Sequence, residues 1–240
     1  MKKRKLIPIG EAAKLLGVTI TTLRRWDESG RMTPVRKSPK GNRYYHWGDI
    51  EFLTSELSKM ARGWAVSKKS FPEEYYCRFS DIFQARLIQL ETLLAREDST
   101  KNIFSLIISI VGEIGNNSFD HNLGQWPDTP GIFFGYDLVK KQIVLADQGL
   151  GILETLKRVR PSLKSHDSAV KVAFTEILSG RAPESRGNGL KYVRKVVAGS
   201  NINLFFQSGN AKLWLYGGSS ELAIKKSRDN VKGCLAFITY

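Results

Sequence analysis

The sequence predicts an α+β protein in two parts: a small helical domain with a basic hairpin, then a larger α/β sandwich, a mixed sheet with helices on one face. Three observations carry that expectation. Two short stretches of helical periodicity meet at Gly17 and are followed by a basic segment punctuated by proline and glycine. A long apolar run beginning at Ile103 ends abruptly in polar residues. Alternating β-type stretches then occupy much of the chain after Gly131.

The chain has 240 residues, room for one or two domains with a proper core. Its net charge of +14 is uneven: residues 1–70 hold 16 Lys and Arg against 6 Asp and Glu, while the remainder holds 21 against 17. A polyanion partner is expected at the amino-terminal third, with nucleic acid favoured by the motifs below and an anionic membrane surface as the rival. Two cysteines, Cys77 and Cys234, without C-x-x-C or zinc-type histidine spacing, fit a reducing compartment. The basic start lacks the apolar core of a signal peptide, and the run 103–114 is too short to span a bilayer. A soluble, cytoplasmic protein with no membrane partner is expected.

Residues 1–62 form the first domain. Ile9, Ala12, Ala13, Leu15 and Leu16 are helically spaced and stop at Gly17, a natural C-cap. Thr19 is placed to cap a second helix over residues 20–29, with Leu23 and Trp26 inward and Thr21, Thr22, Arg24 and Arg25 outward. Two short helices about a glycine turn make a helix-turn-helix, whose second member enters the major groove of double-stranded DNA. Pro34, Pro39 and Gly41 then divide short β-type pieces that carry Arg31, Arg36, Lys37, Lys40 and Arg43, a wing suited to phosphates or a minor groove. A third helix is expected over residues 47–60, breaking near Arg62 and Gly63.

The run I-G-E-A-A-K-L-L-G-V-T-x-x-T-L-R-R-W-D-x-x-G-R-M-x-P-V-R, ending in G-N-R-Y-Y, resembles the MerR-type winged helix, especially the resolvase and excisionase-like branch. The resemblance covers residues 7–53. It implies that Thr21, Thr22, Arg24 and Arg25 face base edges or phosphates, and that Arg36, Lys37 and Arg43 contact the DNA backbone. The long dimerising helix of MerR regulators has no counterpart here, which leaves a homodimer open.

Residues 63–77 lack periodicity and are expected to be a linker; residues 78–240 form the second domain. An amphipathic helix over 78–96 is either a dimer seam or, preferably, the first helix of that domain. In the next helix Glu113, Asn117 and His121 fall at i, i+4 and i+8, along one stripe about one turn apart. A hairpin over 131–146 brings Asp147 to a cavity rim, where it can accept a hydrogen bond from an exocyclic amine beside Gly149 and Gly151. Residues 153–186 read as a lid of two helices, one broken by Pro161 and one ending at Gly180. Gly187 and Gly189 open a further helix, and four β-like pieces follow from Ile202 to the end.

E-x-x-x-N, then D-x-G-x-G-I, then G-x-G-L, in that order, resemble the N box and the two glycine boxes of the GHKL ATP-binding fold of gyrase B, the MutL proteins, the heat-shock chaperone ATPase and histidine kinases. His121 makes the first box most similar to the anti-sigma serine kinases, whereas Asp120 matches the chaperone branch. Gly233 is similar to the last box, with Cys234 in place of its usual Thr. The resemblance implies ATP and Mg2+ as cofactors: Asp147 reading the adenine amine, Asn117 holding the metal, and Asp120, Gly149, Gly151, Gly187, Gly189 and Leu190 bordering the nucleotide. Glu113 and His121 are the catalytic candidates. Three functions stay open: a DNA-binding regulator modulated by Mg-ATP, a serine/threonine protein kinase tethered to DNA and acting on a protein partner, and a nucleotide-free interaction module.

Overall fold

The computed structural model describes residues 6–177 and 189–240, and its fold is α+β. In the amino-terminal domain, β1 (Leu6–Pro8) leads into α1 (Ile9–Leu16). Gly17 closes that helix at φ 65°, ψ 31°, a left-handed conformation that side chains disfavour. Thr19 accepts from the Thr22 amide at 3.1 Å and opens α2 (Ile20–Glu28). The wing strands β2 (Arg36–Lys37) and β3 (Arg43–His46) join β1 in an antiparallel sheet of order β1-β3-β2. Ile7, Ala12, Leu23, Met32, Tyr45 and Ile50 fill the core between helices and sheet.

The expected third helix is two helices, α3 (Trp47–Thr54) and α4 (Glu56–Ser67). Ser55 separates them with extended backbone, φ −65° and ψ 126°, and its hydroxyl caps α4 by accepting from the Ser58 amide at 3.3 Å. α4 continues through Arg62 and Gly63, where a break was expected. A helical glycine costs about 1 kcal/mol relative to alanine, less than is gained by burying Leu57, Ala61, Trp64 and Ala65 together. The remainder of the expected linker is also structured, with a 3-10 turn over Glu73–Tyr75 and β4 (Tyr76–Cys77), the edge strand of the larger sheet.

The larger domain continues with α5 (Ser80–Arg96), α6 (Phe104–Asn122), β5 (Ile132–Asp137) and β6 (Gln142–Asp147). Then come α7 (Gly151–Lys157), α8 (His166–Thr175), α9 (Gly189–Ala198), β7 (Asn203–Leu215) and β8 (Ala223–Thr239). The β5–β6 hairpin is in the expected place, but the four later β-pieces are two long strands, with irregular pairing between Ser208 and Ala211. Helix α5 belongs to the domain core, burying Phe83, Leu87, Leu90 and Leu94. In the lid region α7 stops before Pro161 and α8 stops at Thr175; Gly180 lies outside the described residues.

The sheet, of order β4-β5-β6-β8-β7, is antiparallel at every neighbouring pair rather than mixed. It is also covered on both faces rather than one. Ile132, Phe134, Ile143, Leu145, Phe206 and Ile238 pack toward α5, α6, α8 and α9. The intervening Phe133, Val144, Ala146, Phe205, Leu235 and Phe237 pack toward Phe52 of α3 and the apolar side of α4. Both parities of these strands are apolar, and burying each large side chain is worth roughly 1.5–3 kcal/mol. The helix leaving the winged helix therefore roofs the second face. No helix among the described residues is long and apolar enough to cross a membrane.

Candidate functional site

The amino-terminal face is built on α2. With Leu23 fully buried, the helix turns Thr21, Arg24 and Arg25 outward, and all three are exposed. Thr22 sits closer to the cap: its hydroxyl lies 2.9 Å from the Thr19 hydroxyl. In the wing, Arg36 is exposed and lies over the Tyr44 ring, 5.9 Å from its centroid. Lys37 and Arg43 are tied to the helix, because Asp27 of α2 accepts from both at 2.8 Å. Burial works against ionising Asp27, yet the hydrogen bonds from Lys37 and Arg43 outweigh it and hold the carboxyl below its ordinary range. Asp27 was not singled out in the sequence, where nothing local marks it as the bolt between helix and wing.

In the larger domain, Asn117, His121, Asp147, Gly151 and Leu190 line one hollow of about 30 Å3, together with Ser118, Asn122, Phe206 and Cys234. Glu113 meets the head of α9: a Cβ on Gly189 would overlap its Oε2 and lie 3.3 Å from Asn117 Nδ2, so a larger residue there would displace the Glu113 carboxylate. The carboxylate thus sits at the end of α9 that favours negative charge. Asp120, three residues past Asn117 and so short of a full turn, is exposed and does not line the hollow. Gly187 lies outside the described residues.

Asp147 is buried and held by three donors. Ser118 donates to its Oδ2 at 2.8 Å, the Gly149 amide to its Oδ1 at 2.8 Å, and the Cys234 amide also reaches it. Burial dominates all the same and pushes its pKa up to about 6. Burial likewise pushes the Cys234 thiol well up, with the nearby Asp147 adding to the shift. Gly233 has no room for a Cβ, which would overlap Asp147 Oδ1, and a Cβ on Gly149 would overlap the Asn122 carboxamide.

Three site residues escaped the sequence reading. Asn122 accepts from the Leu150 amide at 2.8 Å and donates to the Ser118 carbonyl at 2.7 Å, pinning the glycine loop against α6. Ser118 and Asn122 continue the row of Ile114, one position round from the Glu113 stripe; two polar residues following an apolar row were the available signal. Gln148, fully buried, donates to the Trp64 carbonyl of α4 at 2.7 Å.

Fold and site together define a winged helix-turn-helix joined to an antiparallel α+β domain that encloses a small hollow bordered by Asn117, His121 and Asp147. Residues 8–45 match the family model for the MerR family regulatory protein. That match supports a DNA-binding, regulatory role for the amino-terminal domain, and it ends within β3 without reaching the larger domain. No curated protein matches the chain.

Proposed function

We propose that the chain is a DNA-binding regulator whose larger domain takes up ATP with Mg2+ and thereby alters the affinity of the winged helix for double-stranded DNA. The observation that carries this reading is the meeting of Asn117, Asp147, Gly151 and Leu190 on one hollow, with Gly189 against Glu113. The donor set suits the nucleotide. Asp147 would accept from the adenine amine. Asn117, whose side-chain amide has no hydrogen bond among the described residues, would serve the hard metal ion beside the phosphates. Glu113 is half-buried beside Asn117, positioned to orient a water or hydroxyl. Bound ATP supplies a transferable γ-phosphoryl group.

Size sets a condition. A hollow of about 30 Å3 holds one water, so adenine enters only as Leu190 and the head of α9 move outward. Uptake is then coupled to a conformational step, as a regulator requires. The bond from Gln148 to Trp64 connects that loop to α4 and so to the winged helix.

The small volume of the hollow is what favours the rival reading of a nucleotide-free interaction module. Phosphoryl transfer to a partner protein is the other rival, resting on His121, which lines the hollow and matches the serine-kinase form of the first box. Thermal unfolding of the full chain with ATP and Mg2+ separates these. Saturation at 100 times the dissociation constant stabilises by roughly 2.7 kcal/mol, and Asn117→Ala abolishes that gain. An unchanged melting curve in the wild type supports the interaction module. Labelled phosphate appearing on a co-purifying protein, rather than in water, supports the kinase.

A further inference from the structure

A second cavity, about 520 Å3, lies between the winged helix and the outer face of the large sheet. Its volume is that of a site for a small molecule. Leu6, Met32 and Thr33 of the winged helix and residues of α3 form one side, and β7 and β8 form the other. One wall is aromatic: the Phe52 and Phe205 rings lie 4.1 Å apart, and Trp214 and Tyr216 stack at 5.6 Å with an interplanar angle of 4°.

Next to that wall are two ammonium groups in an unusual relation. Lys212 and Lys225 are directly paired across β7 and β8, and both line the cavity. Like charges opposite one another on one face of a sheet destabilise it. Neither forms an ion pair among the described residues, although Asp49 on the same lining attracts both: Lys212 donates to the Gly30 and Arg31 carbonyls at 3.4 and 3.5 Å, and Lys225 to the Thr33 hydroxyl at 3.2 Å. Asp229, an acid on the same lining, is engaged by Arg62. Burial lowers the pKa of Lys212; Asp49 pulls it back up, and Lys225 and then Arg62 push it down.

We propose that this cavity binds a small planar aromatic anion, its ring against the wall of Phe205 and Trp214 and its acid group between Lys212 and Lys225. The anion adds a second negative partner for two lysines that share Asp49. Because the chain entering the wing forms part of the lining, occupancy bears directly on the winged helix. The site is separate from the hollow at Asp147 and does not depend on the nucleotide reading.

The test uses the full chain and 8-anilinonaphthalene-1-sulfonate, with the neutral N-phenyl-1-naphthylamine as control, in calorimetric titrations. One sulfonate binds per chain, at least tenfold more tightly than the neutral compound. Lys225 is exposed, so Lys225→Met keeps the fold; it weakens the sulfonate at least tenfold, leaves the neutral compound unchanged, and Lys225→Arg restores binding. Ala223→Trp fills the cavity and abolishes both. Equal sulfonate affinity in wild type and Lys225→Met, or binding that survives Ala223→Trp, overturns the proposal.

Discussion

The Gln148 carboxamide donates to the Trp64 carbonyl at 2.7 Å, a buried bond between the loop that carries Asp147 and the helix that leaves the winged helix. Gln148 Oε1 has no partner among the described residues, and the Trp64 carbonyl also accepts from the Lys68 amide. Truncation to Gln148→Ala therefore strands no acceptor on α4, and a loss of about 1–2 kcal/mol is expected from the missing bond and contacts. Chemical denaturation checks the loss. The same variant should keep its ATP affinity while its DNA affinity stops responding to nucleotide.

Asp147 gives a pH signature. With its folded pKa raised from 3.8 to about 6, the folded chain retains a proton that the unfolded chain releases between those values. Stability from this group is thus full below about pH 4, falls as pH rises toward 6, and stays low above. Asp147→Asn removes the dependence: the new amide can donate to Ser118 while its oxygen still accepts from Gly149. Relative to wild type the variant should gain about 1–3 kcal/mol at pH 7.5 and nothing at pH 4, measured by denaturation at the two pH values. Asp49, also raised by burial to about 6, adds a parallel slope in both proteins and cancels in the comparison.

Gly115 reports on the packing of α5 against α6. Alanine at a helical glycine ordinarily gains up to about 1 kcal/mol, but a Cβ here would overlap the ring of Phe83, which is fully buried and has no free direction. Overpacking costs about 1–3 kcal/mol, so Gly115→Ala should lower the melting temperature. Phe83→Leu in that background should recover part of the loss, a coupling readable from a double-mutant cycle.

On the winged helix, Arg24 and Arg43 should separate. Arg24 is exposed, so Arg24→Ala should leave stability within about 0.5 kcal/mol while weakening duplex binding and reducing its salt slope by about 1. Arg43 is held by Asp27, so Arg43→Ala should also lower the melting temperature. Anisotropy titrations at several salt concentrations, paired with thermal melts, check both.

The parts legible in the sequence are those whose signals are local. Gly17 and Thr19 set the turn of the helix-turn-helix within a few residues, and the hairpin ending at Asp147 follows from two alternating stretches and a short turn. Apolar residues on both parities, as in Ile132, Phe133 and Phe134, say that both faces of the sheet are buried but not what buries the second. Its cover, α4, comes from across the expected linker. Strand direction was equally unwritten, hence the mixed sheet expected in place of an antiparallel one. At the hollow, the Glu113 stripe and the glycine positions were readable as spacing. Ser118 and Asn122 acquire meaning only once α6 meets a loop some 30 residues later in the chain.

The most direct measurement is the affinity of the full chain for a labelled random-sequence duplex at low salt, with and without ATP and Mg2+. A change of at least fivefold in the wild type, roughly 1 kcal/mol of coupling, that disappears in Asn117→Ala is the predicted result. The same duplex affinity in the wild type with and without nucleotide, at concentrations that saturate any ATP site, would contradict it.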